Sequence, residues 1–545
     1  MTLPDLVLAP VLLPLATAAL MLLVGQQRRG LLAAINLAAT LAGLGLSLAL
    51  ALGVHREGAA AFAVYLPGNW PVPFGIVLVA DRLAAMMCLL ASGVGLAALL
   101  FSLARWHRAG VYFHVLVQLQ LMGLHGAFLT GDLFNLFVFF EVLLAASYGL
   151  LLHGGGTQRV RAGLHYIAIN LVASLLFLIG VALLYGVAGT LNMADLARTL
   201  ALVPAADRGL LHAGAAILAV AFLAKAALWP LNFWLPPAYA AASAPAAALF
   251  AVLTKVGVYA VLRLWTLCFP GSAEAAPFGG DVLVWGGLAT LAFGATGMLA
   301  SQGLARLAGY SVIASSGTLV AAIGFQQPAL AAGALFYLAS STLAASALFL
   351  LVEMLERGRH AEADPPRLDT GGEQVPFLAD EGGPRADVNL DDDETALVGR
   401  ALPGAVTFLG LAFLTCALVV SGLPPLSGFV GKLAMMTALR DGSGGAAGWT
   451  LFGGLIASGF LAAAALLRAG VRFFWSSHGP APRLRIVEGL PVSLLLAACV
   501  LLALRGDPAL AYLRATADAL HEPQRYIDAV LAARPVPGPV REPRP

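Results

Sequence analysis

Long apolar runs alternate with short polar connections along the whole chain. A helix crossing a hydrocarbon core of ~30 Å needs about 20 predominantly apolar residues. Runs of that kind lie near 4–24, 31–53, 76–103, 111–129, 132–152, 163–187, 209–236, 245–266, 281–299, 304–325, 329–355, 402–439 (with an internal break), 450–475 and 487–504. They predict an all-α polytopic membrane protein of about fourteen spans. Basic residues follow the odd-numbered spans: Arg28 and Arg29, Arg105 and Arg108, Arg159 and Arg161, Arg306, Arg357 and Arg359, Arg483 and Arg485. The even connections are poor in arginine or balanced by acids. By the positive-inside rule the odd connections are cytoplasmic and both termini lie outside. The N-terminus has no basic n-region or small-residue cleavage site, so it reads as an uncleaved first helix.

Two stretches depart from this rhythm. Residues 357–400 are polar, rich in Pro and Gly, and end in the acidic run Asp391, Asp392, Asp393 and Glu394. They predict a flexible cytoplasmic loop, either a solvated linker or a segment that concentrates cations or meets a partner. Residues 508–534 are moderately amphipathic and predict a helix on the outer membrane surface. The Pro-rich last eleven residues predict disorder.

Composition agrees with the pattern. The chain is 60% hydrophobic and 11% charged, where soluble domains carry about 25% charged residues. Its formal charge of +2 is spread over short loops and gives no nucleic-acid signal. Cys88, Cys268, Cys416 and Cys499 lie far apart in apolar segments, so neither a metal site nor a disulfide framework is indicated. No Walker A or GxGxxG motif opens a helix, and no cofactor is implied. The driving energy must then come from an ion gradient or from another subunit.

The chemistry concentrates on three lysines, Lys225, Lys255 and Lys432. They are the only lysines among 31 basic residues, which leaves 31 minus 3, or 28, arginines. Each sits inside an apolar run, where a charged amine costs roughly 2.5–3.5 kcal/mol. Arginine cannot release its proton at a working pH, whereas a desolvated lysine can. Codon bias explains the scarcity of lysine but not the placement of these three. Span five adds Glu141, its only carboxylate away from an end, in the segment opened by Thr130, Asp132 and Asn135. A carboxylate in hydrocarbon neutralises or finds a cation, and a lysine on a neighbouring helix would serve. Such a couple is either a proton relay or a structural ion pair.

Two spans are predicted to be broken. In span seven Lys225 precedes Pro230, Pro236 and Pro237; in span twelve Gly422, Pro424, Pro425 and Gly428 precede Lys432. Proline removes a backbone donor, and freed carbonyls at bilayer depth are tolerated only against protein or a water-filled cavity. The pattern Pro-Leu-x-x-(Trp/Phe) recurs at Pro230–Trp234 and Pro425–Phe429. The match suggests two inverted five-helix repeats, spans four to eight and nine to thirteen. Domain organisation follows: 1–110 holds spans one to three, and 111–266 the first repeat. The second repeat, 281–475, includes the 357–400 loop; then come the last span (476–504) and a tail (505–545).

DLFNLFVFFEVLLAASYGLL, KAALWPLNFWLPPAYAAASAPAAALFAVLTKVGVYAVLRLW and GLPPLSGFVGK resemble the large antiporter-like subunits shared by respiratory complex I and the multisubunit Mrp-type cation/proton antiporters. TKVGVYAVLRLW, FYLASSTLAASALFLL and the acidic loop resemble the D-type subunits of the bacterial Na+(K+)/H+ antiporters, particularly the Pha branch. The resemblance implies a bacterial inner-membrane protein and proton translocation along Glu141, Lys225, Lys255 and Lys432. It further implies movement of Na+ or K+ and partner subunits in a hetero-oligomeric complex. Many relatives carry histidine or lysine on span eleven, where this chain has Ser340, Ser341 and Ala345. Ser340, Ser341, Thr342 and water are candidates to bridge that gap, and Ser315 and Ser316 on span ten are either path residues or packing contacts. Glu353 is either a proton exit or a snorkelling interfacial residue. Among five membrane histidines (His114, His125, His153, His165, His212), His153 and His165 are the pathway candidates. A proton-pumping subunit of a complex I-type NADH/quinone oxidoreductase is the alternative, and a scaffold with inert lysines is a third reading.

Overall fold

The computed structural model describes residues 3–58, 61–271, 277–363, 404–442, 445–474 and 484–536; of 358–363 it describes the backbone. The acidic part of the 357–400 loop and the last nine residues lie outside these. The N-terminal helices are α1 (Leu3–Val24), α2 (Arg29–Arg56) and α3 (Arg82–Ser102). A two-stranded antiparallel sheet, β1 (Ala63–Tyr65) and β2 (Leu78–Ala80), joins α2 to α3, with Val64 opposite Val79. The third span is therefore shorter than its apolar run: residues 78–80 are strand, and Asp81 caps α3 through the Ala84 amide at 2.8 Å.

Next come α4 (Phe113–Leu129), α5 (Leu133–Leu152), α6 (Thr157–Ala188) and a short helix, α7 (Met193–Leu200), that hydropathy does not predict. Asp132 caps α5 (Asn135 amide, 2.9 Å), and Asn192 caps α7. Span seven is α8 (Arg208–Lys225) and α9 (Leu235–Ala241); α10 (Ala244–Cys268), α11 (Gly280–Ala300), α12 (Leu304–Gly324) and α13 (Pro328–Ala363) follow. Span twelve is α14 (Gly404–Ser421) and α15 (Ser427–Asp441), followed by α16 (Gly445–Phe474) and α17 (Ile486–Leu504). Among the described residues thirteen helices are long and apolar enough to cross a membrane, and the 17-residue α4 completes the expected fourteen. Large apolar side chains of α1, α2, α6, α14, α16 and α17 face outward, as hydrocarbon requires, while α10, α12 and α13 are buried almost all round.

Packing runs in parallel through the two predicted repeats. In the first, α4 packs on α5, α5 on α6, α6 on α8 and α9, and α8 on α10. In the second, α11 packs on α12, α12 on α13, α13 on α14 and α15, and α14 on α16. Side chains of the odd connections meet on one face: Arg29 reaches the Arg108 carbonyl, Arg159 that of Ala241, Arg485 that of Ala104 and Arg472 that of Gln302. The even connections meet on the other face, where Leu78 bridges Thr130 and Asp132 bridges Asn192. Leu3 packs on Gly53 there as well.

The tail departs from the expectation of a helix lying on lipid. It forms α18 (Gly506–Leu520) and α19 (Pro523–Leu531), which pack on α13, α10 and α7 of the even face. A bidentate ion pair anchors them: Arg263 Nη1 and Nη2 donate to Asp81 at 2.6 and 2.8 Å, and the guanidinium lies 5.4 Å from the Tyr526 ring. Asn69 exchanges two hydrogen bonds with the Val536 backbone, at 2.8 and 2.7 Å.

Candidate functional site: a row of buried lysines

Both breaks arise as their prolines dictate. After Lys225 the backbone turns left-handed at Ala227 (φ 56°), and Pro230 has no amide to continue the helix. Thr290 on α11 accepts the Trp229 amide at 2.9 Å, and Trp234 Nε1 donates to the Ala224 carbonyl at 3.3 Å. In span twelve Gly422 is left-handed (φ 74°). Pro425 cannot donate to the carbonyl four residues back, that of Ser421. Lys432 fills the vacancy, its ammonium donating to Ser421 O at 2.9 Å. The two lysines thus sit on opposite limbs of their breaks, Lys225 before and Lys432 after.

Lys255 is 1% and Lys432 5% exposed; Lys225 and Glu141 are half-buried. Among the described residues no lysine makes an ion pair within 4.0 Å of a carboxylate. Glu141 and Lys225 are joined through Ser174 of α6, whose Oγ donates to Glu141 Oε1 and accepts from Lys225 Nζ at 3.3 Å. The expected acid–lysine couple is therefore bridged by a serine rather than direct. Lys225 Nζ also lies 5.0 Å from the Phe140 ring centroid. A cavity of about 20 Å³ beside it reaches Tyr166 and Asn170 of α6 and Val256 and Gly257 of α10.

Lys255 donates to Ser315 Oγ and, at 3.3 Å, to Ser316 Oγ. Ser341 reaches Ser315 at 3.4 Å, which brings span eleven to Lys255 through a hydroxyl. A second cavity of about 20 Å³ is lined by Ser311, Ser315, Tyr337, Ser341, Ser458 and Lys432. Each of the two cavities has room for about one water. Ser340 points elsewhere, to Ser427 Oγ at 2.7 Å, where the second limb of span twelve begins.

The remaining candidates separate cleanly. Glu353 does not snorkel: its side chain is 13% exposed, accepts from Trp106 Nε1 at 2.6 Å, and faces Arg105 and Arg357 at 3.5 and 3.7 Å. His153 is buried near the same face, with Nε2 on the Trp106 carbonyl at 2.9 Å. Burial, with the Arg159 charge beside it, holds this imidazole below the usual histidine range despite that hydrogen bond. His165 lies on the exposed side of α6, bonded to the Arg161 carbonyl, and is not gathered with the lysines. His125 Nδ1 takes the Pro10 carbonyl (2.9 Å) that Pro14 leaves open in α1, and Nε2 meets Ser92 Oγ at 3.0 Å. Sequence reasoning does not single out Ser174, Thr290, the Ser421 carbonyl or the Asp81–Arg263 pair. The spacing of Pro425 and Ser421 is the one available signal, since a helix proline opens the carbonyl four residues before it.

The fold defines a polytopic membrane protein, with its three lysines on α8, α10 and α15. The chain belongs to the family described as NADH:quinone oxidoreductase/Mrp antiporter, transmembrane, whose model matches residues 130–367. It is 52% identical over 543 residues to a protein of Rhizobium meliloti (strain 1021) named as the probable D-type subunit of a K(+)/H(+) antiporter, covering 97% of this chain and 98% of that one. It is 34% identical over 537 residues to the D-type subunit of the Na(+)/H(+) antiporter of Alkalihalophilus pseudofirmus, covering 97% and 99%. A chain of the Mrp complex from Dietzia sp. DQ12-45-1b superposes with a TM-score of 0.79 at 26% identity, covering 97% of this chain and all of that one. A chain of respiratory complex I from Thermus thermophilus with bound NADH gives 0.72 at 25%, covering 96% and 99%.

Proposed function

We propose that this chain is the proton-translocating subunit of a multisubunit monovalent-cation/proton antiporter, and that protons move along Glu141, Lys225, Lys255 and Lys432. The observation that carries the reading is the company each amine keeps. Every ammonium rests on a hydroxyl or a backbone carbonyl instead of being locked to a carboxylate, and water-sized cavities are lined by Lys225 and by Lys432. An ion pair would hold the charge in place; hydroxyls and water accept a proton on one side and release one on the other. Ser341 supplies such a group on the span where many relatives have a histidine or lysine, and it meets Ser315 of span ten at 3.4 Å. The names of the relatives support an antiporter over a redox-driven pump, and they divide between potassium and sodium as the exchanged cation. By the positive-inside rule, the arginine-bearing face is cytoplasmic and both termini are outside a bacterial inner membrane.

The test is exchange in everted vesicles carrying the whole complex, with sodium and potassium supplied separately. Glu141→Gln, Lys225→Ala, Lys255→Ala and Lys432→Ala should each abolish exchange while the complex still assembles. Wild-type rates from all four would refute the relay, and intact transport with failed assembly would mark the lysines as scaffold.

A further inference from the structure

The connection between α3 and α4, residues 103–112, ties several helices together on the arginine-bearing face. Arg485 holds its Ala104 carbonyl at 3.1 Å, and Trp106 Nε1 donates to Glu353 of α13 at 2.6 Å. Arg29 at the start of α2 reaches the Arg108 carbonyl at 3.4 Å, and Gln26 before it accepts the Tyr112 amide at 3.0 Å. Three imidazoles lie against this segment: His107 within it, His114 in the first turn of α4, and His153 at the end of α5. Each is 8% exposed or less. The His107 and His114 rings are 5.8 Å apart, and the His153 ring is 5.0 Å from that of Phe113.

Hydrogen bonds fix the tautomer of His107. The Ser102 carbonyl only accepts, so Nδ1, at 3.1 Å, carries the hydrogen. Arg108 Nε only donates, so Nε2, at 3.2 Å, offers its lone pair. An added proton has no place but Nε2, where it sets N–H against N–H and an imidazolium against a guanidinium. His153 is fixed in a similar way: Nε2 donates to the Trp106 carbonyl at 2.9 Å, while Arg159 donates to the His153 carbonyl at 2.8 Å. His114 Nδ1 meets Asn36 Nδ2 at 2.8 Å, and its buried Nε2 has no hydrogen-bond partner among the described residues. No histidine there makes an ion pair with a carboxylate among the described residues. The charges beside the rings are guanidiniums, Arg29 and Arg108 at His107 and Arg159 at His153. Arg485 and Arg105 add to them, and the one acid that meets the connection, Glu353, is taken up by Trp106, Arg105 and Arg357. Burial and the two neighbouring guanidiniums hold His107 below the usual histidine range despite its bond to Ser102.

We propose that these histidines form an acid-released latch: protonation of His107 from the arginine-bearing face frees the α3–α4 connection from its partners and slows exchange. The release is a property of the hydrogen bonds alone, whereas its effect on exchange rests on the antiporter reading. The released proton acceptor is Nε2, and the bond that breaks is the one from Arg108, whose carbonyl also holds Arg29. The segment so freed carries Trp106, which fastens Glu353 of α13, the helix that also carries Ser341. An exchanger that delivers protons to this face is then slowed by its own product.

Hydrogen–deuterium exchange of the intact complex reads the release. Protonation of an ordinary imidazole favours the open state by a factor of 1 plus ten to the power (6.5 − pH), about 1.1 at pH 7.5 and about 11 at pH 5.5. Amide exchange over 103–112, corrected for its intrinsic pH dependence, should therefore rise roughly tenfold between those values in wild type. His107→Gln keeps a neutral acceptor for Arg108 and should hold the rise within about twofold. His107→Asn keeps a neutral donor for the Ser102 carbonyl and serves if the first variant fails to assemble. In everted vesicles, taking the bath from pH 7.5 to 5.5 should slow cation-driven exchange at least threefold more in wild type than in the variant. Unchanged protection in wild type, or a tenfold rise in the variants as well, would overturn the latch. Release in wild type with equal slowing of wild type and variant would overturn its control of exchange. Absence of cation-driven exchange in wild type at every pH would sink the antiporter reading and the brake with it, while the amide data still decide the latch.

Discussion

Ser174 offers the sharpest perturbation of the row. It is 5% exposed, and its one hydroxyl meets both Glu141 and Lys225, which do not touch each other. Hydrogen bonds to charged groups contribute about 1.5–3 kcal/mol each. Replacing Ser174 by Ala removes the oxygen and leaves the carboxylate and the ammonium separated by a methyl group. If the proton path needs one of those bonds intact, the barrier rises by about that amount and exchange slows roughly 10- to 100-fold, since about 1.4 kcal/mol is a factor of ten. The assay is cation-driven collapse of a pH gradient in everted vesicles, followed with a fluorescent pH dye, with assembly checked by co-purification of the partner subunits. Ser174→Thr keeps the hydroxyl and should recover most of the rate. Exchange at the wild-type rate in Ser174→Ala would show that the bridge carries nothing. Equal loss in both variants would assign the effect to packing.

Three further outcomes follow from the geometry. An ideal Cβ on Gly459 would lie 2.7 Å from the Ser421 carbonyl oxygen and 3.3 Å from Lys432 Nζ, so Gly459→Ala should displace the ammonium and cut exchange at least tenfold in an assembled complex; an unchanged rate would show that this seat is not needed. Asp81→Asn keeps the cap on α3 but leaves the buried Arg263 guanidinium unpaired, at a cost of about 3–5 kcal/mol; limited proteolysis should then cut within 505–536 faster than in wild type, and equal rates would contradict the anchoring role. The folded-state pKa of His153 is depressed, so the unfolded chain binds more protons as pH drops below about 6.5, and stability is lost in that direction. The thermal unfolding midpoint should fall between about pH 7 and pH 5.5 by more in wild type than in His153→Gln, and parallel curves would exclude this contribution.

Hydropathy is sufficient to find the spans, and the placement of three lysines inside them is sufficient to find the row. Both are one-dimensional signals: a run of apolar residues, and a charge inside it. What joins the row together is not visible that way. Ser174 and Ser315 look like any small residue in an apolar helix, and their roles appear only when α6 faces α8 and α12 faces α10. The Asp81–Arg263 pair spans 182 residues and ties the start of α3 to the end of α10, a distance over which no periodicity speaks. Residues 78–80 read as part of a helix because a short apolar run has the same composition in either state; their pairing with 63–65 decides it. Glu353 reads from the sequence only as a carboxylate near the end of a long helix. Its three partners come from the α3–α4 connection and the next helical turn, so its choice between water and protein is not a local matter.

One physical distinction separates the buried titratable groups that hold the fold from those suited to carry protons. Proline opens an acceptor in both α1 and span twelve, and a titratable side chain fills each. His125 has both ring nitrogens engaged, by the Pro10 carbonyl and by Ser92, which itself meets Ser47 at 2.9 Å. That network is closed: each ring nitrogen already has its partner, so the imidazole has no spare donor or acceptor. Lys432 has three donors, one fixed on the Ser421 carbonyl, and a water-sized cavity shared with Ser315 and Ser341 at its side. Lys255 rests on two hydroxyls that can turn, and Lys225 on one beside a cavity of its own. A group with spare donors, rotatable partners and room for water can change protonation without dismantling its surroundings. By that criterion the lysines suit the proposed path, and His125 suits the packing of α1, α3 and α4.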